Sequence, residues 1–497
     1  MKKTYQFTFI LVLVIIFSIS QQTARAQVST TLYHMYGIPQ ANQLNPAFQS
    51  NCDSYIGFPM LSPLNLSLEL NPLRYKDIFS YDQGLNQIIT FMHPQGDKEA
   101  FLNSLKPVNA LNTSIGTNPL SIGWRSKQFY FTIDFTEKID QNFRFTKDFM
   151  EFLLNGNLNQ ERFNFSETGL DVRYYHELAL GVSYNYEDQF QIGARAKVLF
   201  GVANVTTRLF DITLKANEDR WDLNSTMMID MSVPFLSYIP IDSAFFVMLD
   251  SIPGVIDSNI PDEINGDFFK ENLGSFLGTS NLGFAVDFGF NFNPIENLSI
   301  SASVNDLGFI RWGKNSYQLK QDGTFTWTGL DINDPPFEME ILSDVIPIVW
   351  IDTKTDSILQ PLRFTSTKES YFNFLSGKIY LGAAYEINDM LRFGVVTRTR
   401  IYNYHFFNQF TFSANVMPIP MFSATLSYSI IGKNYANFGL GLSLKLGPFN
   451  MYFITDQTPS GYLYPENINS VNFRFGLNLE FGCGKIPKKL RDRPIID

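Results

Sequence analysis

Between Asn472 and Phe481 the side chains alternate with a period of two. Phe473, Phe475, Leu477, Leu479 and Phe481 fall on one face, and Asn472, Arg474, Gly476, Asn478 and Glu480 on the other. Successive side chains of an extended chain point to opposite faces, so this stretch reads as a strand with one wholly apolar face. The same rhythm returns over Phe438–Leu446, Phe422–Ile430, Phe284–Phe292, Phe129–Phe135 and Leu64–Leu70. Strands of soluble sandwiches alternate too. Many strands with this much phenylalanine on one face fit a membrane wall better, where each crossing takes roughly 9 to 11 residues. Counting such runs gives about 14 strands, in keeping with the even strand numbers of bacterial single-chain barrels. The pattern predicts an all-β membrane protein: a closed antiparallel transmembrane β-barrel of about 14 strands with short helices in long loops.

Composition supports that choice over a soluble fold. Charged residues make up 17% of the chain and aromatic residues 15%, with 48 Phe and 23 Tyr, at a mean hydropathy of -0.06. Soluble domains carry nearer ~25% charge. A barrel in lipid needs apolar residues outside, polar ones inside and aromatic girdles at both interfaces. The runner-up fold is a soluble periplasmic β protein.

The N-terminus predicts export. Lys2 and Lys3 precede an apolar run from Phe7 to Phe17, and Ala24-Arg25-Ala26 offers small residues for cleavage, so residues 1–26 read as a signal peptide and Gln27 as the first mature residue. The run is shorter than the roughly 20 apolar residues of a membrane-spanning helix. Residues 53–484 are then the barrel, and residues 485–497 a basic periplasmic tail carrying Lys485, Lys488, Lys489, Arg491 and Arg493. Both termini are expected in the periplasm of a Gram-negative bacterium, with the barrel in its outer membrane. Long loops are expected near residues 230–278 and 331–361. Short helices are expected near Phe268–Leu277 and over Phe145–Leu154, the latter stopped by Asn155-Gly156. Gly382, Gly394, Gly439 and Gly441 fall on or near strands, where a missing side chain either relieves crowding or admits an interior segment.

The only two cysteines are predicted to pair. Cys52 precedes the expected first strand and Cys483 follows the expected last one. Closure of an antiparallel barrel sets those strands side by side, and even strand number puts both ends at one rim. The periplasm is oxidising, so a Cys52–Cys483 disulfide would persist there. Two unpaired thiols are the alternative.

Motifs with a catalytic mechanism are lacking. His34, His93, His176 and His405 show no metal-ligand spacing, and no nucleophile elbow, phosphate loop or calcium loop occurs. The expectation is a non-catalytic protein with no cofactor and no metal. A catalytic barrel, its site assembled across strands, is the alternative. The net charge of -10 argues against nucleic acid as a partner.

The segment Tyr36-Gly37, Asn42, Leu44 and Asn45-Pro46-Ala47-Phe48 resembles the opening of FadL-type transporters and of PorV-like and PorP/SprF-like barrels of Bacteroidota. The runs Phe438–Gly447 and Asn472–Gly482 resemble uncharacterised outer-membrane barrels of the same bacteria. The FadL likeness implies that residues 27–52 form a plug or hatch in the lumen, with Asn45, Pro46 and Ala47 as its motif, and that a hydrophobic or small polar solute passes. The PorV and PorP likeness implies a structural subunit of an envelope complex, with type IX secretion or gliding machinery as partners. An apolar tunnel with a side opening would favour passage. A lumen filled by side chains and helical caps would favour a docking subunit.

Overall fold

The computed structural model describes residues 30–483 except 36, 72, 159, 187–188, 218, 234–279, 296, 329–363, 389, 403–404, 432–433 and 457–469. The expected signal peptide, the Phe268–Leu277 helix, most of the loop at 230–278, the whole loop at 331–361 and the tail 485–497 lie outside the described residues.

Fourteen strands close into one antiparallel barrel. The first, β1, is in two pieces, Ser54–Gly57 and Leu64–Asn71. Around the wall follow β2 (Val108–Ser126), β3 (Phe129–Thr146), β4 (Gly169–Tyr186), β5 (Phe190–Ala216), β6 (Leu282–Ile295) and β7 (Leu298–Trp312). Then come β8 (Gly377–Asn388), β9 (Leu391–Tyr402), β10 (His405–Ile419), β11 (Phe422–Ile431), β12 (Asn434–Leu446), β13 (Phe449–Thr455) and β14 (Ser470–Phe481). Each strand pairs with its neighbours in sequence. The wall shuts where β1 meets β14, Ser54 opposite Phe481 and Leu64 opposite Phe475. At the rim where that seam begins, the turns between strands are two or three residues long. Most of the long connections lie at the opposite rim.

Burial runs opposite to that of a soluble protein. Along β6 the apolar Phe284, Phe288, Phe290 and Phe292 are exposed while Asp287 and Asn291 are wholly buried. Along β14, Asn472, Arg474, Asn478 and Glu480 are buried and Phe481 is exposed. Leu426 on β11 is 61% exposed between the buried Thr425 and Ser427. The period-two sequence pattern thus becomes an apolar outer wall around a polar interior.

Two departures shape the barrel locally. Residues 58–63 interrupt β1, yet both pieces keep β14 and β2 as partners, and β2 carries an irregularity opposite, between Thr117 and Leu120. At the long-loop rim β5 outruns the wall: past Phe200 it leaves β6, and residues 204–216 pair instead with the strand Trp221–Ser232, which pairs with Ser316–Trp327. The helix Lys147–Asn155 follows β3. Thr146 caps it by accepting from the Phe149 N–H, and Gly156, at a φ of 62°, ends it in a backbone conformation that disfavours a Cβ. Phe145, expected in that helix, instead belongs to β3, and Phe152 packs on Phe163, Phe165 and Trp221 beneath the extension.

Candidate functional site

The lumen is occupied by the chain's own N-terminal segment. Residues 30–49 enter as two short 3-10 turns, Thr31–His34 and Pro39–Gln43, and nearly all of their described side chains are buried. Tight turns suit the segment because a short peptide has few internal hydrogen bonds to offer, so its polar groups must find the wall. They do so on many sides. The Thr31 backbone N–H donates to Asp456 at 3.1 Å, and the Thr31 hydroxyl sits 2.7 Å from that of Ser427. The Tyr33 hydroxyl meets Ser301 at 3.0 Å, and its ring stacks on Tyr380. Gln40 and Asn478 exchange two amide hydrogen bonds, 2.7 and 3.0 Å long. Ser303 and Asn305 donate to the Leu44 carbonyl at 2.6 and 2.7 Å. Between these ties, Leu32, Met35, Ile38, Leu44 and Phe48 form an apolar cluster with Tyr380, Val396, Tyr452 and Ile454 of the wall.

Asn45, Pro46 and Ala47 sit at a contact of backbone on wall. Asn45 is fully buried and donates to the Phe290 carbonyl at 3.2 Å, while its Oδ1 accepts from the Ala47 N–H at 3.0 Å. Glycines on two adjacent strands make room. A Cβ on Gly289 would lie 2.0 Å from Asn45 Oδ1, and one on Gly193 would lie 2.1 Å from the Pro46 carbonyl oxygen. The four glycines singled out in the sequence face the same segment. Gly382 faces Tyr33, Gly394 faces His34, Gly439 faces Thr31 and Gly441 faces Met35.

Burial sets the protonation of the segment's titrating groups. It holds His34 down to about 4, with the Arg392 charge acting the same way and a 3.2 Å contact to the Val395 carbonyl opposing. It pushes the Tyr33 phenol up to about 12, so Tyr33 remains a donor.

A row of charged side chains lines the inner wall from β3 to β8. Lys197 lies 2.7 Å from Asp287 and also contacts Asp306 and Glu177. Arg195 is 2.6 Å from Asp134, Lys138 is 2.7 Å from Glu177, and Lys378 contacts Asp306. Buried charges persist when paired and hydrogen-bonded, as here. Next to this row, on the long-loop side of the segment, is a cavity of about 250 Å³ bordered by Gln43, Leu44 and the inner faces of the wall. Most of its lining residues are amide, hydroxyl or charged, with Leu66, Ile115, Val172 and Phe473 among them.

Cys52 and Cys483 are joined at the short-turn rim, their Cα atoms 4.1 Å apart. Glu480 lies beside them, and the three are the sole grouping of potential metal ligands among the described residues. The Lys445 ammonium, 2.7 Å from Glu480, already neutralises that carboxylate. The histidines are scattered: His34 is in the lumen segment, His176 is buried 3.8 Å from Glu137, His93 lies in the connection before β2, and His405 begins β10. The sequence did not single out Thr31, Gln40, Arg398 or Arg474, although the polar face on which Arg474 sits was plain from alternation.

A family model described as a family of unknown function, DUF5723, matches residues 46–456. No curated protein matches the chain. Among solved structures, the toluene transporter TbuX of Ralstonia pickettii is similar at 8% identity and a TM-score of 0.41, covering 90% of this chain and 95% of that one. The Pseudomonas putida toluene transporter TodX is similar at 8% identity and a TM-score of 0.35, covering 92% and 93%. A Pseudomonas aeruginosa FadL homologue shows 10% identity and a TM-score of 0.37, covering 93% and 100%. At such scores the likeness says nothing of cargo.

Proposed function

The chain belongs to the DUF5723 family, and we propose that it is a non-catalytic outer-membrane barrel forming a gated route for a small polar solute, closed in this state by residues 30–49. The observation that carries the proposal is that segment itself. It fills the lumen, yet hydrogen bonds and six close glycine contacts hold it rather than a continuous strand pairing, so it is the part of the interior that can leave while the wall stays closed. The exposed apolar face of β6, β11 and β14 supports placement in lipid. The signal-peptide pattern supports export. In that placement the Cys52–Cys483 rim, with its short turns, faces the periplasm, and the chain enters the wall at Cys52 and leaves it at Cys483 there.

A polar, charge-lined interior favours a polar cargo over hydrocarbon. Planar-bilayer recording of the full-length protein tests the route. A variant lacking residues 30–45 should conduct at least several-fold more than the closed parent. A deletion variant that folds, by heat-modifiable migration, but conducts no more than the parent refutes gating. Recovery of the native protein in the soluble periplasmic fraction would refute the membrane placement.

A second reading is a docking subunit of an envelope complex, such as the type IX secretion or gliding machinery. The extension built on β5 favours it, because that sheet projects past the wall and offers a surface the barrel does not need for closure. Co-purification of a stoichiometric protein partner from native membranes, lost on trimming residues 208–227, would decide for it.

A further inference from the structure

We propose that the lumen cavity is a binding site for a small hydrophilic oxyanion, held by the guanidinium groups of Arg398 on β9 and Arg474 on β14. The proposal names the solute class for the gated route and rests on that reading only for the anion's role as cargo; binding itself stands apart from passage.

The chain as a whole is acidic, with a net charge of -10, yet eight Lys and Arg side chains border this cavity against four Asp and Glu. The acids are already engaged. Glu177 is shared by Lys138 and Lys197, Asp306 by Lys197 and Lys378, Asp171 lies 3.4 Å from Arg144, and Asp140 accepts from Ser114 at 2.7 Å. Arg398 and Arg474 have no carboxylate partner among the described residues. Arg398 is 3% exposed, reaches only Gln409 Oε1 at 3.5 Å, and leaves Nε and one terminal nitrogen without an acceptor. Arg474 is 5% exposed, donates to Gln43 Oε1 at 2.6 Å and leaves Nε without an acceptor.

A guanidinium has five donors and cannot shed its charge. Leaving such a group buried without a counter-charge is costly, and a bound anion removes the cost. Its planar fork matches the paired oxygens of a phosphate or carboxylate. The cavity that both side chains border, about 250 Å³, holds such an ion with part of its hydration, since one water occupies only ~30 Å³. Asn65, Asn112, Thr136 and Asn305 on the same lining supply neutral donors. Gln43 ties the site to the gate, because the residue that contacts Arg474 belongs to the lumen segment. An anion that competes for Arg474 loosens one of that segment's ties.

The test is isothermal titration of the full-length protein in non-ionic detergent at low ionic strength with inorganic phosphate, acetate and octanoate in separate arms. Saturable binding of phosphate or acetate is expected, whichever binds identifying the oxyanion, with octanoate no tighter than acetate. R398Q together with R474Q should weaken it at least tenfold. No saturable binding in either short-anion arm, unchanged affinity in the double variant, or octanoate more than tenfold tighter than acetate overturns the site. Should the double variant fail to fold, R398Q alone must weaken binding, and phosphate must raise the wild-type unfolding temperature above chloride at equal ionic strength; a failure of either overturns it. A protein that binds the anion but never conducts would refute the gated route and leave the site standing.

Discussion

Single residues decide how tightly the lumen segment is held. Gly193 and Gly116 are both wall glycines, but they differ in what a methyl group would meet: the Pro46 carbonyl at 2.1 Å in one case, an ordinary 3.6 Å contact with Asn65 in the other. Gly193→Ala should therefore cost about 1 to 3 kcal/mol through overpacking, and more than Gly116→Ala, in urea unfolding of the folded barrel. Equal costs would place the segment elsewhere in solution. His34 gives the segment a pH dependence of defined sign. Its folded value of about 4 lies below the value of ~6.5 expected for an unfolded histidine, so between the two the unfolded chain binds more protons. Stability is full above pH ~6.5 and falls as pH drops toward 4, by no more than about 3 kcal/mol. H34Q should flatten that slope in protease-protection profiles of the segment; an unchanged slope assigns it to other groups.

At the scale of the strand, the wall was legible in sequence because lipid outside and water-like polarity inside impose opposite demands on alternate residues. Phe284–Phe292 and Asn472–Phe481 announce β6 and β14 with their faces already assigned. The break in β1 at residues 58–63 was not legible, since its apolar Phe58, Met60 and Leu61 continue the outer wall's composition without the alternation. Neither was the β5 extension, where Asp211, Asp222 and Asp322 leave no clean apolar face for a pattern to reveal. The Arg398 and Arg474 pair was invisible for another reason: the two lie on strands that only barrel closure brings to one cavity. On β14 the face assignment makes a depth-dependent prediction. Leu477 lies within the strand and Phe481 at its rim end. Leu477→Arg should cost about 2 to 4 kcal/mol in refolding into vesicles if Leu477 is at the midplane, and Phe481→Arg about 0 to 1 near the interface. An Arg tolerated equally at both sites would contradict a lipid-facing Leu477.

For the whole molecule, the Cys52–Cys483 link spans a sequence separation of 431 residues and sits at the seam where the first strand meets the last. In the folded barrel it adds little, because Ser54–Gly57 already pairs with β14 through ordinary sheet hydrogen bonds. Its effect falls on the unfolded chain, which it turns into a loop enclosing nearly everything after the plug. Loop closure of that size lies at the upper end of disulfide stabilisation, about 4 to 5 kcal/mol, before native-state strain is subtracted. The link also anchors the exit of the lumen segment, since Cys52 follows Gln49 by three positions and Arg125 holds Gln49 at 2.7 Å. Removing it should therefore lower stability and loosen the segment together. The double variant C52S with C483S should unfold at lower urea than the oxidised parent and expose the segment to protease sooner. Reductant should bring the parent to the same midpoint and leave the variant unmoved. A parent whose two thiols both alkylate after denaturation without reductant carries no bridge, and the seam is then held by β1–β14 pairing alone.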